Sequence, residues 1–86
     1  MVSVKRLILD VLKPHVPNSL DFARTLAEQG AGYRVNFTVI EVDENTETVE
    51  IVIEGEDVDF DAITQALSSL GGSLHSIDQV EVVNDA

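Results

Sequence analysis

The amino-acid sequence predicts an α+β domain in which a four-stranded antiparallel sheet carries two helices on one face. Three observations predict it. Four stretches alternate apolar and polar residues with period two, and two more repeat apolar residues at helical spacing. These six stretches run in the order strand, helix, strand, strand, helix, strand. A short polar turn makes the middle strands a hairpin, and two right-handed split crossovers put both helices on the same side. The spatial strand order is then 4-1-3-2, which is the ferredoxin-like βαββαβ sandwich.

The first strand is expected over residues 4–12, where Leu7, Leu9 and Val11 share one face and Arg6, Ile8, Asp10 and Leu12 share the other. Lys13-Pro14-His15-Val16-Pro17 stops it, because each proline removes a ladder donor. Asn18 then offers an N-cap, with Asp21 in the first turn near the positive helix end. Leu20, Ala23, Leu26 and Ala27 form the apolar stripe of this helix, which ends at Gly30 and Gly32.

The second strand spans Tyr33 to Val42, with Tyr33, Val35, Phe37 and Val39 alternating with Arg34, Asn36 and Thr38. Asp43 to Glu47 is the polar turn, and the third strand runs from Thr48 to Glu54 with Val49, Ile51 and Ile53 inward. Asp59 caps the second helix, and Val58 before it and Ile63 within it fit a hydrophobic staple. Phe60, Ile63, Leu67 and Leu70 repeat at helical spacing until Gly71-Gly72. The fourth strand runs from about Leu74 to Val83, where Ile77 and Val80 cannot both face inward without a bulge. The expected core holds Leu7, Leu9, Val11, Val35, Phe37, Ile51, Ile63 and Leu67.

Eighty-six residues make a single domain, 1–86, close to the lower size limit for independent folding. So short a chain buries only roughly 60–65% of its unfolded surface. The absence of cysteine rules out disulfides, thiolate metal sites, iron–sulfur clusters and thiol nucleophiles. No apolar run approaches the roughly 20 residues that span a bilayer, and the start of the chain does not read as a signal peptide. The cytoplasm is the expected location. Sixteen acidic residues against five basic ones leave a net charge of −11, which repels nucleic acid and anionic membranes. An apolar content of 44% with clear periodicity argues against disorder. The charge fits adaptation to high salt, where screening makes dense carboxylates tolerable; the alternative is an ordinary acidic protein.

Fold alone does not decide function, but the common uses of this one need residues that can be sought. Cys-x-x-Cys is absent. The central strands carry no aromatic residue for RNA stacking. Pro14 and Pro17 deprive the loop after the first strand of N–H groups for a phosphate cradle. A binding, regulatory or assembly module remains.

Three segments resemble a known family. Leu9-Asp10-Val11-Leu12-Lys13-Pro14-His15, Glu41-Val42-Asp43 with Thr46-Glu47, and Gly71-Gly72-Ser73-Leu74-His75-Ser76-Ile77-Asp78 are similar to the archaeal uncharacterised family called domain of unknown function 211. The similarity covers essentially the whole chain, from which it departs in carrying extra surface carboxylates. The resemblance implies a ferredoxin-like domain, an archaeal source and ring-like homo-oligomers; it implies no activity.

Two constellations are candidates for a site. His15 closes the first strand and His75 opens the fourth, its antiparallel neighbour, so Asp10, His15, His75, Ser76 and Asp78 are candidates for a pocket that binds a metal or small ligand. The alternative gives both histidines structural roles. Glu41 and Asp43, two apart at the end of the second strand, are weak candidates for a shallow calcium or magnesium site; the alternative is a solvated hairpin tip. Asp10 is costly to bury alone, so it either pairs with Arg6 or Lys13 or binds a ligand. An enzymatic reading would use His15 or His75 as a base, with Ser76 as the only local nucleophile and nearby carboxylates in support. Strand alternation sends Ser76 and His75 to opposite faces, which disfavours a dyad. The sheet face opposite the helices carries Ile8, Leu12, Ile40 and Val52, candidates for a homo-oligomer interface.

Overall fold

The structure is a computed structural model that describes residues 1–85. Its elements are β1 (Val2–Pro14), α1 (Ser19–Ala27), β2 (Arg34–Val42), β3 (Thr46–Glu54), α2 (Phe60–Ser69) and β4 (Ser73–Asn84). The sheet order is β2-β3-β1-β4, with every neighbouring pair antiparallel. This is the expected ferredoxin-like topology. No helix among the described residues is long and apolar enough to cross a membrane.

Side-chain alternation places Leu7, Leu9 and Val11 of β1 and Val49, Ile51 and Ile53 of β3 on one face, where they are buried. Phe22 and Leu26 of α1 and Ile63, Ala66 and Leu67 of α2 close over them. Val35 and Phe37 of β2 are only partly buried but pack against this core.

The helix termini follow local chemistry. The Asn18 side chain accepts from the Asp21 amide at 2.8 Å, and the Asp59 side chain accepts from the Ala62 amide at 3.1 Å. Val58 and Ile63, flanking the second cap, are both buried. At the end of α2 the Gly71 amide donates to Ser68 at 3.0 Å and the Gly72 amide to Leu67 at 2.8 Å. That is the Schellman arrangement, and its left-handed residue is Gly71, at φ 86°.

Two details depart from the sequence expectation, and a third supplies the irregularity that β4 required. β1 continues through Pro14, which pairs with Thr46. The β1–β4 ladder has already ended at Leu12 opposite Ser73, so a residue without an N–H is tolerated at this one-sided end. In α1 the buried residues are Phe22 and Leu26, whereas Leu20 is 58% exposed. The bulkier ring takes the inward position and lies 5.8 Å from the Phe37 ring. Finally, β4 shifts register against β1 between Ile8 and Leu9 and again between Asp10 and Val11. His75 and Asp78 are the extra residues, so Leu74, Ile77 and Val80 all stand opposite inward residues of β1. The bulge that Ile77 and Val80 required is therefore present. Both remain about half exposed, beyond the cover of α2.

Candidate functional site on the open sheet face

The face away from the helices is built by the outward residues of the two central strands. Across β1 and β3 the register sets Arg6 against Glu54, Ile8 against Val52, Asp10 against Glu50 and Leu12 against Thr48. Apolar and ionic pairs contribute to such a ladder, while like charges directly opposite weaken it. Asp10 and Glu50 thus form an unfavourable pair at the centre of the face.

Neither cation expected to relieve Asp10 does so. The Arg6 guanidinium pairs with Glu54 at 2.7 Å and donates to Gln79 at 2.8 Å. Lys13 turns to the other face. Asp10 therefore has no ion-pair partner among the described residues. On its β4 side stands Ser76, whose hydroxyl donates to Asp78 at 2.7 Å.

Two adjoining depressions share Asp10 and Thr48. One, about 330 Å³, is also lined by Val11, Leu12 and His75. The other, about 320 Å³, is also lined by Ile40, Glu50 and Asp78. The bulges of β4 carry His75 and Asp78, and a register shift between Val39 and Glu41 leaves Ile40 unpaired. The structure thus unites Asp10, His75 and Asp78 with Leu12 and Ile40 on one surface. Ile8 and Val52 pair beside it, both half-buried. Glu41, opposite Thr48, and Asp43 in the turn are exposed at the hairpin end. Among the described residues, no three His, Asp or Glu side chains come together in a way that would hold a metal ion.

His15 is engaged elsewhere. Its Nδ1 lies 2.8 Å from Glu47 Oε2 and its Nε2 lies 2.9 Å from the Glu44 carbonyl oxygen. Both partners are acceptors, so only the protonated ring donates to both at once. The Glu47 hydrogen bond, then that of the Glu44 carbonyl, raises its pKa above 6.5. The same His15 bond, helped by Lys13, lowers the pKa of Glu47. Glu47 Oε1 accepts from Lys13 Nζ at 3.2 Å, and the ammonium also donates to the Pro14 carbonyl at 2.8 Å. Lys13 is 1% exposed, and its charge sits 5.6 Å from the centre of the Phe22 ring. Sequence reasoning missed this Lys13–Glu47–His15 chain. A signal was available, since the alternation that turns Leu7, Leu9 and Val11 inward reaches Lys13 next.

A family described as uncharacterized ArCR, domain of unknown function 211, matches residues 5–85. The chain belongs to this archaeal family. It is also 46% identical over 80 residues to an uncharacterized protein of Methanocaldococcus jannaschii, which covers 93% of this chain and 82% of that protein. The resemblance drawn from the three sequence segments is therefore borne out. In this member of the domain of unknown function 211 family, those segments fall on the end of β1, the β2–β3 hairpin and the start of β4. They supply Asp10, Glu47 and His75 to the geometry above.

Proposed function

We propose that this protein is a non-enzymatic binding module that works as a homo-oligomer and uses its open sheet face as the contact surface. The observation that carries this reading is the composition of that face. The half-buried pair Ile8 and Val52, with Leu12 and Ile40, which are 41% and 61% exposed, surrounds the carboxylate pair Asp10–Glu50. Grouped apolar side chains on an uncovered sheet favour a partner, and an unneutralised carboxylate pair favours a cationic group or a hard cation such as calcium or magnesium. Closed symmetric assembly is the common outcome for such a surface.

Enzymatic use of the histidines has less support. The His15 ring is turned to the hairpin, with Nδ1 against Glu47 and Nε2 against the Glu44 carbonyl, and so does not join His75 and Asp10 on the open face. Ser76 donates to Asp78, so no nucleophile–base pair is assembled around it.

Light scattering after size exclusion in molar potassium chloride, with and without calcium or magnesium, tests the proposal. A mass several times 9.4 kDa is expected. Ile8→Glu should reduce it to a single chain while leaving the circular dichroism spectrum unchanged, because Ile8 is outside the helix-packed core. A monomer at micromolar concentration under all conditions would refute the assembly reading.

A further inference from the structure

We propose that His15 is a protonation-operated latch, whose two ring N–H groups hold the β2–β3 turn against the end of β1. The turn is closed by a bond from the Asp43 amide to the Thr46 carbonyl at 2.8 Å. The β1–β3 ladder ends at Pro14, which has no N–H to extend it. Beyond the Pro14–Thr46 pair and the Lys13–Glu47 ion pair, the His15 ring adds a tie from the β1 end that reaches the turn itself, through the Glu44 carbonyl, with Glu47 of β3 on its other side.

The chemistry of the ring makes this tie conditional. Only the imidazolium has two donors; the neutral ring has one donor and one acceptor. On losing a proton, one nitrogen presents a lone pair to an oxygen, and one of the two bonds is lost. Every group around the ring decides which. Lys13 from β1 holds Glu47 in place through Oε1. Glu47 from β3 remains an anion and the stronger acceptor. Asp43 and Glu44 of the turn add exposed negative charge, and the Phe22 ring of α1 lies beneath Lys13. The remaining proton therefore stays on Nδ1, facing Glu47, and the Glu44 carbonyl is released. His15 has a side-chain exposure of 39%, so solvent reaches it for proton exchange. The turn is held below the His15 pKa and freed above it.

The test is a nuclear magnetic resonance titration of the full chain, using His75→Gln so that a single imidazole remains. The His15 ring should titrate with a midpoint above 6.5, and the amide resonances of Glu44, Asn45 and Thr46 should shift with the same midpoint. Ring nitrogen shifts should identify the Nδ1–H form on the alkaline side. His15→Gln retains the Lys13–Glu47 pair and should make the turn insensitive to pH over that range. Glu47→Gln should move the ring and turn midpoints down together; if it does not fold, His15→Gln alone decides. Turn resonances that ignore the ring, a pH response that survives His15→Gln, or an alkaline Nε2–H form would overturn the proposal.

Discussion

Replacing Phe22 by alanine should cost about 3–5 kcal/mol of folding stability, the range for deleting a buried aromatic side chain. The structure argues for the upper part of that range. Phe22 is fully buried, packs obliquely on Phe37 at 5.8 Å and lies beneath the Lys13 ammonium at 5.6 Å. A Cβ placed on Gly72 would come within 3.0 Å of the ring, so this glycine backbone is fitted to the aromatic and collapses poorly onto an alanine. An 86-residue domain has roughly 4–13 kcal/mol in total, at about 0.05–0.15 kcal/mol per residue. The substitution should therefore remove between roughly a quarter of that stability and all of it. Phe22→Leu keeps much of the volume and should cost about 1–2 kcal/mol. Leu20→Ala, at an exposed position of the same helix, should stay within about 0.5 kcal/mol. Urea unfolding followed by circular dichroism in molar potassium chloride reads all three. With a slope of about 1 kcal/mol per molar urea, Phe22→Leu lowers the midpoint by roughly 1–2 M. A Leu20→Ala cost equal to that of Phe22→Ala would refute the orientation assigned to α1.

Two further outcomes follow from charge. The net charge of −11 makes the folded chain repel itself, and raising the salt from 0.1 to 1 M shortens the screening length from about 10 to about 3 Å. The thermal midpoint should rise clearly over that range; a flat profile would remove the self-repulsion argument. Glu47 has a lowered pKa in the folded chain, so its contribution is fully present above 4.5 and is lost as pH falls through the folded value. His15, with its raised pKa, contributes fully below 6.5 and loses that contribution as pH rises through its folded value. Thermal midpoints measured against pH should therefore show a Glu47-dependent fall on the acid side. That limb should be shallower in Glu47→Gln than in the wild type, and equal limbs would show that this carboxylate is not the group responsible.

The sequence by itself determined the elements and their order, because those depend on neighbours a few residues apart. Period-two alternation, caps such as Asn18 and Asp59, and the Gly71-Gly72 terminus act through local backbone geometry and one or two hydrogen bonds. The three segments that carry the family resemblance were equally legible. Tertiary structure decided what depends on how finished elements dock. The stripe expected on α1 began at Leu20, and packing against Phe37, Lys13 and Gly72 turns Phe22 inward in its place. The register of β4 needs two bulges, and these bring His75 and Asp78 to the depressions around Asp10. Arg6 and Lys13 were both plausible partners for Asp10 by sequence distance. Cross-strand register gave Arg6 to Glu54, and the inward turn of Lys13 gave it to Glu47. That buried ammonium then fixes the carboxylate that holds His15, a chain of contacts 34 residues long in sequence and one side chain wide in space.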